Sequence, residues 1–409
     1  MTEVIPFKGF IYNSNRVKID EVVSPPYDII TEVKKDILYN RSEHNIVRVD
    51  FGKPLIDDNE QINKYSRANE TLNDWINNSI LHQTKKESYF LYEATYHIGA
   101  EQRIMRGIFA AVKLVELGKG VFPHEETHSK PKADRLNLMC SCNANTSPIF
   151  SLYDLPNSKT SKIINRTSNS NPYLDYSDDE GLRHKCFIID NKDDVASIKN
   201  ELNGKDIFIA DGHHRYETAL EYKRIKEQSG QVNDCNYILM LLVNIVDGGI
   251  TILPTHRMIS HIPDDFIGLL SPYFEINHIK TEVPITKSIS NLKHGFGLYI
   301  NGLNGFYTLR YTGKGLIDMP EELKNLDVTI LHKLILQKLF KVIDFGYEMD
   351  EETTIKRVRD GEYKAAIFLN PTKVENVERA ARVNLRMPPK STYFYPKIPT
   401  GLVLNCFDR

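Results

Sequence analysis

Apolar positions in this chain fall into two periods. Between Ile62 and Ile80 they recur at helical spacing around Trp75, whereas Tyr89–Tyr96 and Gly107–Val115 are dense in aromatic and β-branched residues and read as strands. A proline-marked turn, Ser24-Pro25-Pro26-Tyr27-Asp28, precedes them. Further on, Asp206–Ala210 has a short buried-strand pattern that runs into Asp211-Gly212-His213-His214-Arg215. A helical stretch follows, Tyr216 to Glu227, with Tyr216, Ala219 and Leu220 on one face. Tyr237–Val246, Asp247-Gly248-Gly249 and Ile250–Leu253 predict a β-hairpin that delivers Pro254-Thr255-His256-Arg257 in a loop at a strand end. Asp327 is placed to N-cap a helix with Ile330, Leu331, Leu334, Ile335 and Leu339 on its apolar side, and His332 reads as a surface residue. Ala365–Leu369 predicts a strand and Val374–Asn384 a helix. The stretch Asn157–Tyr173, rich in Ser, Asn, Thr and Lys, predicts an exposed loop, and three prolines within Met387–Lys397 argue against regular structure in a candidate binding loop. The pattern as a whole is mixed α/β.

Composition narrows the classes of function. At 409 residues the chain is long enough for two or three domains. Its 41% hydrophobic and 26% charged residues are those of a folding protein. A net charge of −2 supplies no general attraction to phosphate backbones, so nucleic acid is not an expected partner. Cys140, Cys142, Cys186, Cys235 and Cys406 are too scattered for a disulfide framework, which fits a reducing cytoplasm. The opening MTEVIPFKGF has no basic and apolar leader pattern, and the longest strongly apolar stretch, Tyr237–Val246, is too short to span a bilayer. No membrane partner is expected.

The usual phosphate-loop, dinucleotide and nucleophile-elbow motifs are absent. His124-Glu125-Glu126-Thr127-His128 has the letters of a zinc-peptidase helix, but Pro123 and Pro131 confine any helix there and the neighbours supply no apolar face. The segment Asp211–Arg215 sits between a strand and a helix start, where backbone N–H groups favour an anion. Gly212 would admit a phosphate close to the backbone, Arg215 would grip it, and Asp211 would take Mg²⁺. The plainer alternative makes Asp211 a helix N-cap, with the histidines satisfied structurally. Asp134 and Arg135 would form a local, exposed ion pair.

These residues carry a resemblance. F-I-A-D-G-H-H-R-Y-E-T-A-L at 208–220 resembles the corresponding segment of free L-serine kinases. Phe122-Pro123-His124-Glu125 resembles that family's P-H-E segment. Met387-Pro388-Pro389-Lys390-Ser391-Thr392, with Pro396-Lys397-Ile398-Pro399, resembles its C-terminal S-P-K-T-T loop. The likeness runs from about residue 120 to the end of the chain, and residues 1–85 and 155–185 belong to a longer form. It implies an α/β fold with a ParB/sulfiredoxin-like catalytic core and a second α/β lobe, the site lying in the cleft between them. The expected organisation is an N-terminal extension (1–85), a core (86–230, with an exposed insertion at 155–185) and a C-terminal lobe (231–409) bearing a substrate loop at 387–400.

The implied reaction is phosphoryl transfer to free L-serine, giving O-phospho-L-serine, with Mg²⁺ and with pyrophosphate favoured over ATP or ADP. Glu125 would be the base and Asp211 the metal or phosphate organiser, with Gly212, His213, His214 and Arg215 on phosphate. Lys390, Ser391 and Thr392 would hold the substrate, joined by His256 and Arg257. The cationic side chains that cluster near these motifs, among them Lys130 and Lys132, suit a phosphate-only donor. Rivals on the same superfold are a nucleotide-switched DNA-partitioning module, which would need a basic helix-turn-helix stretch not found here, and a sulfinic-acid reductase, which would need Cys186 or Cys235 beside the phosphate site. A monomer and a homodimer are both compatible with the sequence.

Overall fold

The most apolar strands of the sequence lie in the middle of one large mixed sheet. In spatial order it runs Val121–Phe122, Ile207–Asp211, Ile149–Tyr153, Tyr237–Asn244, Glu101–Lys113, Tyr89–Ile98, Arg183–Ile189 and Leu174–Ser177, with Val4–Ile5 pairing beside Glu101–Lys113. The pairings are antiparallel except those of Ile207–Asp211 with Val121–Phe122 and of Tyr237–Asn244 with Ile149–Tyr153. The structure, a computed structural model, describes every residue except 1, 126–128, 231–233, 281–282, 317–318, 384, 389 and 408–409. Among the described residues no helix is long and apolar enough to cross a membrane, and no disulfide joins the cysteines.

The chain forms two units, each mixed α/β. The first comprises residues 1–123, 127–250 and 396–409, and the second 124–126 and 251–395. These bounds follow contacts and cut across the three stretches set out from the sequence. Residues 1–85 lie wholly in the first unit. There the helix Lys64–Asn77, closed at its start by an Asn63–Ser66 capping box, buries Ala68, Leu72 and Trp75 against Phe10, Tyr12, Leu404 and Cys406. A hydrophobic body drawn from both ends of the sequence thus supports the sheet.

The second unit is built on an antiparallel sheet in the order Phe274–Ile279, Phe306–Tyr311, Gly295–Ile300, Ala365–Leu369, His256–Ile259 and Phe345–Glu348. Met258, Ala366 and Phe368 from it pack with Ile285, Ile289 and Val358 from flanking helices.

Several expectations are corrected. Tyr237–Asn244 and Thr251–Leu253 do not form a hairpin, because Thr251–Leu253 pairs instead with Tyr393–Tyr395. Gly248 and Gly249 have φ of 73° and 75°, and a Cβ on Gly249 would lie 2.0 Å from the Ile104 carbonyl, so these glycines turn the chain against the edge of its own sheet. The supposed loop Asn157–Tyr173 contains the helix Lys159–Thr167, capped by Ser158 and burying Ile163 and Ile164. Thr160 and Ser161 are buried with them, Thr160 Oγ1 donating to Glu201, and Leu174–Ser177 after the helix joins the large sheet. The prolines of Met387–Lys397 flank the strand Tyr393–Tyr395 and leave it room to form. Asp327 is a first-turn residue bonded to His294 Nδ1 at 2.7 Å, not a cap. The helix after it, Ile330–Phe340, is wound as a π-helix, and its His332 is buried.

Candidate functional site

In the first unit the strand Ile207–Asp211 ends on Asp211, and the helix His213–Gln228 starts two residues later. Gly212, not Asp211, occupies the cap position, at φ 98°, which removes the reading of Asp211 as N-cap. A Cβ at 212 would stand 2.9 Å from Arg215 Nε. Asp211 Oδ2 accepts a hydrogen bond from Lys397 Nζ at 2.8 Å, and Arg215 Nη2 lies 3.9 Å from Oδ1. His213 is buried and His214 half-buried. Arg215 is also buried, and its Nη1 donates to the Pro148 carbonyl. The D-G-H-H-R segment therefore meets the second half of the C-terminal motif, Pro396-Lys397, across 186 residues of sequence.

The pair Asp134–Arg135 belongs to a buried network and not to an exposed local contact. Arg135 Nη2 is 2.6 Å from Asp134, its Nη1 donates to the Asp50 carbonyl at 2.7 Å, and its guanidinium lies 4.1 Å over the Tyr27 ring. Burial would raise the Asp134 carboxyl, but Arg135 and Lys64 beside it hold it down at about 2. Burial pushes the Tyr27 phenol up to about 12 against the neighbouring Arg215 and Arg135. The S-P-P-Y-D turn thus sits beside both arginines. Lys132 is paired with Glu217, and the side chain of Lys130 lies outside the description.

In the second unit His124 and Glu125 run as extended chain. Met387 N donates to the His124 carbonyl at 2.7 Å, and Glu125 forms a parallel bridge with Met387. His124 Nε2 shares a 2.9 Å hydrogen bond with Thr392 Oγ1, and Glu125 Oε1 accepts from Lys390 N at 3.0 Å. The extended backbone removes the helical spacing that a zinc peptidase requires; His128 lies outside the described residues. Among those residues no three His, Cys, Asp or Glu side chains are grouped as a metal centre.

Lys390 is the hub of this cluster. Its φ is 55°, its side chain is exposed, and its carbonyl accepts from Arg257 Nη2 at 2.9 Å and Thr255 Oγ1 at 2.7 Å. Ser391 and Thr392 point inward as braces, Ser391 Oγ donating to the Pro388 carbonyl at 2.5 Å and Thr392 meeting His124. The sequence placed His256 and Arg257 in a loop. They lie on the buried strand His256–Ile259, both 0% exposed, because that strand is interior to its sheet. Arg257 Nε donates to His332 Nε2 at 3.0 Å, Nη1 donates to the Thr255 carbonyl, and the guanidinium lies 4.5 Å over Tyr347. Burial lowers its pKa to about 10, with the charges of Tyr347 and Glu125 opposing the shift. Among the described residues neither ring nitrogen of His256 has a hydrogen-bond partner, and burial, followed by Arg257, lowers its pKa to about 4.

Sequence reasoning missed Thr255, His332, Tyr347 and the pairing of Lys397. Lys397 stood inside the P-K-I-P stretch, whereas the buried His332 had no sequence signal beyond its place among apolar neighbours. Cys186 is fully buried, and burial pushes its thiol to about 12, so it is no nucleophile for a sulfinic-acid reductase.

No curated protein matches the chain. Among solved structures, it resembles a free serine kinase variant in complex with AMP at 11% identity and a TM-score of 0.38, over 70% of this chain and 87% of that one. A conserved hypothetical protein from Pyrococcus furiosus is similar at 15% identity and a TM-score of 0.36, over 72% and 93% of the two chains. SbnI with a C-terminal truncation, from Staphylococcus aureus, is similar at 9% identity and a TM-score of 0.37, over 71% and 84%. A family model, described as protein of unknown function (DUF1015), matches residues 4–329, most of the length, and the chain belongs to that family.

Proposed function

We propose that the protein is a kinase of free L-serine that forms O-phospho-L-serine, with pyrophosphate as the favoured donor over ATP or ADP. The observation that carries the reading is the hydrogen bond from Lys390 N to Glu125 Oε1 at 3.0 Å. It joins the P-H-E glutamate to the C-terminal loop across 265 residues and fixes the carboxylate by a backbone donor. The backbone donor orients the glutamate beside the loop that would carry the substrate, and a positioned carboxylate is the kind of group a general base needs.

Glu125 takes the proton of the serine hydroxyl while the serine oxygen bonds to phosphorus. The bridging P–O bond of the donor breaks, and inorganic phosphate leaves when the donor is pyrophosphate. Phosphoryl transfer asks for positioning and charge neutralisation more than for covalent help. Asp211, at a strand end, fits a site that offers one carboxylate to Mg²⁺ and leaves the remaining positions to substrate phosphates. Bound there, Mg²⁺ would neutralise phosphate charge. Lys397 orients the Asp211 carboxylate, His213 and His214 begin the helix whose N-terminal end favours an anion, and Gly212 keeps the backbone approachable. Arg215, with one arm on Pro148, acts as a partial phosphate contact. Ser391 and Thr392 brace the loop, leaving the exposed Lys390 ammonium as its substrate contact. The group that Asp211, Lys397 and Arg215 make in the first unit suits a donor with no base to bind.

Incubation of the purified chain with L-serine, Mg²⁺ and each of pyrophosphate, ATP and ADP tests the reading by phosphorus NMR. Phosphoserine is expected, with the highest rate from pyrophosphate. Phosphoserine from a nucleotide alone would reverse the donor, and none from any donor would overturn the assignment.

A further inference from the structure

A cleft of about 120 Å³ in the second unit lies against the π-helix. Thr329, His332, Lys333, Gln337 and Arg386 supply its polar lining, with Leu323 and Pro388 on the apolar side. No acid lines it. Lys333 is exposed and makes no ion pair among the described residues. Thr329 is 1% exposed, yet its Oγ1 has no hydrogen-bond partner among the described residues, a costly arrangement in a finished core. His332 Nε2 accepts from Arg257 Nε, and since a guanidinium only donates, the His332 proton must sit on Nδ1. The ring lines the cleft in a fixed tautomer. Arg386 Nη1 lies 3.5 Å from the Glu125 carbonyl, so the wall of the cleft adjoins the segment that carries the proposed base.

A cavity on the order of 150 Å³ holds a six-carbon ring, so this cleft takes a molecule of amino-acid size. Among the described residues two cations, a hydroxyl, an amide and an imidazole line the cleft and no carboxylate does, a lining that selects a carboxylate and gives an ammonium nothing. We propose that this cleft holds the α-carboxylate of the acceptor amino acid, with Lys333 and Thr329 as its specific contacts. The inference deepens the kinase reading and rests on it for the identity of the ligand.

Calorimetric titration of the full chain with L-serine tests it, alongside L-serine methyl ester, which lacks the charged carboxylate. Lys333→Met should weaken L-serine about tenfold, the worth of one charge-assisted hydrogen bond, and leave the ester unchanged. Thr329→Val should weaken L-serine severalfold while the unliganded protein melts no lower than wild type, because the change deletes an unsatisfied hydroxyl. A purely structural threonine would not combine those two results. Unchanged L-serine affinity in both variants overturns the cleft, even if the protein phosphorylates serine. Loss of affinity in both, from a wild type that binds L-serine but forms no phosphoserine, supports the cleft and removes the kinase reading. A wild type that binds no L-serine overturns both.

Discussion

Lys390 and Gly212 hold left-handed backbone for different reasons, and substitution separates them. At φ 55° Lys390 pays about 1 kcal/mol relative to glycine for a conformation in which its N–H reaches Glu125 and its carbonyl reaches Arg257. Lys390→Gly is therefore expected to be more stable than Lys390→Ala by about 1 kcal/mol in denaturant unfolding, while both variants raise the KM for serine equally. Equal stabilities would show that the turn carries no strain, and unequal KM values would move the role from side chain to backbone. At Gly212 the limit is space as well as φ, since a Cβ would meet Arg215 Nε at 2.9 Å. Gly212→Ala should cost about 1–3 kcal/mol and displace Arg215. A melting temperature equal to wild type would contradict this.

Among the elements, the buried strand His256–Ile259 has the clearest dependence on pH. His256 titrates at about 4 when folded, against an ordinary value of 6.5. Between those values the unfolded chain binds the proton that the folded chain refuses, so stability is complete above pH 6.5 and falls as the pH drops toward 4. His332, lowered to about 3 by burial and then by Arg257, acts in the same direction from the same upper limit of 6.5 and continues further, down to about pH 3. His256→Leu should flatten the acid limb of the melting temperature between pH 6.5 and 4, and an unchanged limb would assign it elsewhere. This strand also marks a limit of sequence reading. H-R after a proline looks like a loop, and only its own pairing with Phe345–Glu348 and Ala365–Leu369 puts it in a sheet interior. The strand Ile207–Asp211 and the helix after it were legible because strand, glycine and helix follow one another without a long-range partner. The π-helix was not, since its apolar spacing satisfies an ordinary helix equally well.

For the whole molecule, the sequence supplied the motifs and the structure supplied their partners. Mixed α/β architecture was readable from strand and helix periods, whereas the buried tie of Arg135 to Asp50 and Tyr27, which gives the first eighty-five residues a supporting role, depends on contacts no local pattern records. A separate expectation concerns metal: activity should require added Mg²⁺, and the protein as purified should carry no stoichiometric zinc, as elemental analysis would show. One tightly bound zinc would revive the peptidase reading. The central claim is that Glu125 is the base for serine, and it is tested most directly by the turnover of Glu125→Gln with serine and the best donor, in a variant whose melting curve matches wild type. Since glutamine can still accept from Lys390 N but cannot take a proton, a loss of about 10²–10⁴-fold in kcat is expected. Turnover within a fewfold of wild type would contradict the account.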